Sequence, residues 1–175
     1  DLEAILNLPK GTEHFVTDIH GEYDAFDYVL RSASGVIQQK IEAVFGDELS
    51  VEEKRSLSAL ISYPAAKLRV LKAGNDNLDE WYKVTLMQLI AVLTRVSSRY
   101  TRSKVRKAMP EDYAYIIDEL LHAQKDEDNN QVRYHNNILD TIISINADDF
   151  VISLAELIKR LAVDRLHIVG DIYRS

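Results

Sequence analysis

Cysteine is absent, which excludes disulfides, zinc–thiolate sites and thiol nucleophiles from all 175 residues and is compatible with a cytoplasmic setting. No apolar run approaches the roughly 18 residues a membrane span needs, and no basic-then-apolar leader opens the chain. Positive charge is in deficit, with a net charge of −7, so a dedicated nucleic-acid binder is not expected. A phosphate-binding cleft stays open, because the local field decides that. Three prolines and six glycines among 46% apolar and 28% charged residues give an ordinary globular composition, long enough for one domain with a core. There are no internal repeats and no low-complexity tracts. The chain opens on Asp1 and stops at Ser175 just past an apolar run. Domains rarely end there, and the expectation is a piece of something longer.

What is present centres on one stretch, Glu13-His14-Phe15-Val16-Thr17-Asp18-Ile19-His20-Gly21. His14 to Thr17 reads as a short strand. Strand side chains alternate, so Asp18 and His20 share a face where the strand ends, and in an open α/β sheet that rim binds ligands. A carboxylate and an imidazole suit Mn, Fe or Zn. The far end repeats the pattern: Leu166 to Val169 reads as a second strand, released into Gly170-Asp171. If the two strands lie parallel and adjacent, Asp18, His20 and Asp171 meet on one rim. A shared carboxylate there could hold a second metal about 3.5–4 Å away. The alternative is that Asp18 caps the following turn and His20 is polar surface.

Between the strands the pattern is helical. Apolar residues from Phe26 to Phe45 recur at helical spacing, with Ser32, Ser34 and Gly35 weakening the middle. Ser50 with Glu53 forms a capping-box pattern for a helix to about Ser62, and Pro64 suits the first position of the next, to about Ala73. A buried helix follows from Asp79 to about Tyr100, with Trp81 and Met87 assigned to the core. Thr101 or Ser103 starts a short basic helix, and Pro110-Glu111-Asp112 starts another with Tyr113, Ile116, Ile117, Leu120 and Leu121 as its buried stripe. Lys125 to Gln131 reads as an acidic loop; Val132 to Ile145 and Asp148 to Ala162 read as two helices. The domain reading is therefore 1–24 as first strand and first metal motif, 25–163 as a helical insertion, and 164–175 as second strand and second metal motif. The fragment itself is predominantly α-helical.

Other candidates weigh less. Arg95, Arg99, Arg102, Lys104, Arg106 and Lys107 form a basic cluster, favoured as a solvated helix face over an anion site. Asp126 to Asn130 resembles a calcium loop, but its sixth position is Gln131 and its twelfth Asn137, so it is rejected. His122 and His135 have no partners at ligand spacing, and His14 and His167 read as strand side chains.

Asp18-Ile19-His20-Gly21 and Gly170-Asp171-Ile172-Tyr173 resemble the first two motifs of the calcineurin-like metallophosphoesterases. The longer stretches Leu8 to Phe26 and Arg160 to Tyr173 resemble the class III fructose-1,6-bisphosphatases of bacteria, as does the long helical insertion between them. The resemblance implies an α/β metallophosphoesterase sandwich in the full protein. It implies Asp18 and His20 on a first metal, Asp171 bridging two, and Mn2+ as the metal. It also implies gluconeogenic hydrolysis of the sugar bisphosphate, fructose 1,6-bisphosphate, to fructose 6-phosphate and phosphate by a two-metal-activated hydroxide. No nucleic-acid or membrane partner is expected, and assembly as a homo-oligomer is left open. Two departures stand out. Arg174 follows Tyr173 where the family has aspartate, so Arg174 is given no role, and the Gly-Asn-His-Asp/Glu motif is absent. The proton donor and the substrate-binding residues are therefore unassigned and expected downstream, and the chain alone should bind metal weakly and hydrolyse nothing. Another two-metal phosphoesterase, acting on phosphoproteins or dinucleotides, and a non-catalytic helical binding or assembly module are the alternatives.

Overall fold

A computed structural model describes residues 34–122 and 129–174, with side chains in the last helix described for 133–162. Helix α1 covers 34–45 and ends at Gly46, whose φ of 50° turns the chain into a 3-10 turn, Gly46–Glu48. Then come α2 (Val51–Ser62), α3 (Pro64–Ala73), α4 (Leu78–Ser97), α5 (Arg102–Ala108), a second 3-10 turn (Glu111–Tyr113), α6 (Ala114–His122) and α7 (Asn129–Arg174). The described residues contain helices and turns and no strand.

The helix starts are built from local chemistry. The Ser50 hydroxyl accepts from the Glu53 N–H at 3.1 Å, and the Glu53 carboxylate accepts from the Ser50 N–H at 3.0 Å, closing the expected capping box. Pro64 occupies the first position of α3, where its missing N–H costs nothing. Asn77 and Thr101 cap α4 and α5 through their side-chain oxygens.

The core lies between α4 and the second part of α7, which pack together most extensively. Leu86, Leu89, Val92 and Leu93 meet Phe150, Val151, Leu154, Ile158 and Leu161 with essentially no exposure. Each such side chain contributes about 1.5–3 kcal/mol of burial. Helices α2 and α3 pack against each other and α7, α5 lies on α7, and α6 on α4. Polar tethers finish the bundle. Buried Lys159 donates to the carbonyl of Ser62, the last residue of α2, at 3.2 Å. Arg160 donates to the Ala108 carbonyl at the end of α5 at 2.9 Å. Both satisfy carbonyls that a helix end leaves without a partner.

Three expectations are corrected. The second strand, Leu166 to Val169, falls inside the bounds of α7. A strand takes its hydrogen bonds from a neighbour, whereas a helix satisfies its own; no Pro or Gly intervenes between Ala147 and Val169, so helix propagates. The acidic loop was placed to Gln131, but α7 begins at Asn129. Met87 was assigned to the core and is 53% exposed, because the α4 face that carries it meets water rather than a neighbouring helix. Trp81 is partly buried against the core. The predicted gap between the last two helices is present as a break: Asn146 has φ −160° and ψ 64° inside α7, so two helical pieces meet there. The first strand, His14 to Thr17, lies outside the described residues.

Candidate functional site

The three expected metal ligands are not brought together by the described residues. Asp18 and His20 lie outside them. Asp171 falls within the bounds of α7, and its side chain lies outside the described set. Among the described residues no group of three or more His, Asp or Glu could hold a metal. As a donor set, two carboxylates and one imidazole fit a divalent ion of the Mn, Fe or Zn type on chemical grounds. His14 and His167 likewise lie outside the described set.

Two clusters of paired titratable groups stand out among the described residues. On α6, the Asp118 carboxylate is buried, its side chain 7% exposed. It accepts from Arg102 Nη2 at 2.7 Å and Nε at 3.3 Å, and from Arg106 Nη1 at 3.0 Å. His122 Nε2 stands 3.5 Å from its other side, one turn along the same helix. The Arg102 hydrogen bond, opposed by burial, holds Asp118 below the usual carboxylate range and raises the guanidinium in return. His122 is thus a surface residue with a carboxylate neighbour. His135 is half-buried, and its Nε2 has no hydrogen-bond partner among the described residues.

The second cluster fastens the break at Asn146. Asp148 accepts from Lys72 Nζ at 2.8 Å and from the Tyr82 hydroxyl. Burial pushes Asp148 up, but those two donors outweigh it and leave it below the ordinary carboxylate value. The same contact raises the Lys72 ammonium, and burial followed by the bond to Asp148 raises the Tyr82 phenol. Next door, Tyr113 donates to Asp149 at 2.5 Å, which with burial pushes its phenol up to about 12. Neither the lysine nor the phenols can act as a base or nucleophile near neutrality, because each is held in its protonated form. These clusters join helices rather than perform chemistry. Sequence reasoning missed them because the hydrogen-bonded partners lie 12 to 76 residues apart and no local pattern connects them.

The basic cluster is where the sequence placed it. Arg95, Arg99, Arg102, Lys104, Arg106 and Lys107 are all exposed along the end of α4, the connecting turn and α5. Lys104 Nζ rests 4.8 Å from the Tyr100 ring centroid. A shallow cleft of about 380 Å³ separates α2 from α4, lined by Glu52, Glu53, Leu57, Trp81 and Val84, without a convergent catalytic set.

Comparison with known proteins adds what the helices alone do not. The sequence model of the family described as Firmicute fructose-1,6-bisphosphatase matches residues 1–175. A protein of Clostridium tetani named fructose-1,6-bisphosphatase class 3 is 55% identical over 174 residues, covering 99% of this chain and 26% of that protein. Proteins of the same name from Clostridium botulinum, strain Loch Maree and strain Hall, are 55% and 54% identical over the same span. The chain therefore spans about a quarter of the length of the curated relatives it matches. No solved structure matches.

Proposed function

The chain belongs to the Firmicute fructose-1,6-bisphosphatase family, and we propose that the protein it forms part of hydrolyses fructose 1,6-bisphosphate to fructose 6-phosphate and phosphate, as a gluconeogenic enzyme. The observation that carries this reading is the family match across both motif-bearing ends and the helical body between them. Its relatives bear the name of that activity over the same span.

Asp18, His20 and Asp171 are the residues of this chain that would hold the metals, with manganese the ion the reading favours. Bound divalent metals supply positive charge at the transferring phosphoryl oxygens and lower the pKa of a water nucleophile. The three side chains contribute two negative charges and one neutral nitrogen, which leaves the bound ions net positive toward a phosphate. The glycines beside them, Gly21 and Gly170, let the backbone pass close to an anionic ligand without a Cβ in the way. In the whole protein, residues 25–163 form a helical insertion within an α/β metallophosphoesterase core. Asp171 reaches that core only when the rest of the sheet is present to receive it. On this reading the chain by itself lacks a complete ligand set, because no Gly-Asn-His sequence occurs in it.

The test is made on the full-length protein. Asp18→Ala and Asp171→Ala should each lower bound manganese, read by elemental analysis, and reduce phosphate release from fructose 1,6-bisphosphate by at least about 100-fold. Unchanged metal content and turnover in both variants would sink the assignment. Retained metal dependence with another phosphate ester as the better substrate would keep the metal site and replace the substrate.

A further inference from the structure

From Trp81 to Pro110 the chain carries seven lysines and arginines and no carboxylate, while the remainder carries fourteen cations against twenty-eight carboxylates. Cations often sit at helix C-termini, where they complement the dipole. That accounts for some of these positions, but not for thirty consecutive residues without one acid in an acidic protein. In the fold, six of the seven gather on one exposed corner, the last turn of α4 through α5. Arg160, exposed on α7, reaches the end of α5 through the Ala108 carbonyl and adds a further charge.

The corner is organised from beneath. Buried Asp118 grips Arg102 and Arg106 on one side, while their side chains remain 63% and 48% exposed, so their other N–H groups face water in fixed directions. Tyr100 is pinned by its hydroxyl to the Leu161 carbonyl at 2.8 Å, and its ring holds Lys104 in place. One carboxylate thus serves two guanidiniums, and among the described residues Arg95, Arg99 and Lys107 have no carboxylate in ion-pair contact. Among the described residues none of the large exposed apolar side chains lies here; they are on α2, at its junction with α3, on α3, the middle of α4, α6 and α7. A protein interface is centred on apolar or aromatic side chains, whereas here the partly buried Tyr100 ring carries the Lys104 ammonium over it. Guanidinium forks spaced over two helices match several phosphate groups better than one.

We propose that this corner binds a multiply charged phosphate chain, of the inorganic polyphosphate or nucleoside polyphosphate kind, apart from the metal site. The proposal does not depend on the phosphatase reading.

The test is calorimetric titration of the full-length protein with inorganic tripolyphosphate, in chelator so that no bound metal can respond. Wild type should bind at about 100 mM salt and several-fold more weakly at about 300 mM, as screening shortens the reach of exposed charges. The triple variant Arg95→Gln/Arg99→Gln/Lys107→Gln should lose at least tenfold in affinity with an unchanged circular-dichroism melt. A control of equal charge on α2 and α3, Arg55→Gln/Lys67→Gln/Arg69→Gln, should stay within twofold of wild type. Absence of wild-type binding at the lower salt, or equal loss in both triples, would overturn the proposal. A parallel titration with ATP separates the sources: affinity equal to tripolyphosphate identifies the phosphate chain alone, and tighter binding identifies the nucleoside form.

Discussion

At the residue scale the informative groups are carboxylates whose partners lie far off in sequence. Asp118 has a depressed folded pKa, so its stabilising contribution is present above the ordinary carboxylate value near 4 and is lost as pH falls through the depressed one. Wild-type resistance to urea should therefore decline from about pH 4 downward. Asp118→Asn should show a shallower decline and a loss of about 1–2 kcal/mol at neutral pH, kept small because both arginines face water. Tyr113 behaves in the opposite sense. Its phenol is raised from about 10 to about 12, so the bond to Asp149 holds below pH 10 and fails as pH climbs through 12. Tyr113→Phe should remove that alkaline step in a pH-dependent melt and cost about 1 kcal/mol at pH 7. Neither behaviour was legible in the sequence, where Asp118 sits in an ordinary amphipathic helix and Asp149 in an acidic first turn.

The elements were largely legible, because caps and stops act over a few residues. Ser50-x-x-Glu53, Pro64 and Thr101 each begin a helix where their chemistry requires. Ser50→Ala should lower the unfolding free energy by about 1 kcal/mol, measured in urea, and a neutral result would show that tertiary packing alone holds the start of α2. Phe150 packs edge-on against Tyr113, with ring centroids 5.1 Å apart, and is wholly buried. Phe150→Ala should cost about 3–5 kcal/mol, or prevent folding where reserve stability is small. The failures are equally physical. Met87 lies in the largely apolar α4, yet its side chain is half-exposed and no described helix covers it. Leu166 to Val169 has strand-like composition, but composition cannot supply the neighbour a strand requires.

At the scale of the whole molecule, the described residues form a helical body, and the proposed metal ligands Asp18, His20 and Asp171 lie near the two ends of the sequence. Removing metal from the full-length protein with chelator should abolish phosphate release from fructose 1,6-bisphosphate, and manganese should restore it; activity that survives chelation would contradict the two-metal reading. Among the described residues no helix is long and apolar enough to cross a membrane. What the amino-acid order determined by itself was the capped helix starts at Ser50, Pro64 and Thr101 and the acid-free basic stretch, since each is written in neighbouring residues. What only the tertiary structure decided was which charges meet: Lys72 and Tyr82 on Asp148, two arginines on Asp118, and Lys159 on the end of α2. Those pairings depend on helix packing that brings distant side chains within bonding range, and no local periodicity encodes that geometry.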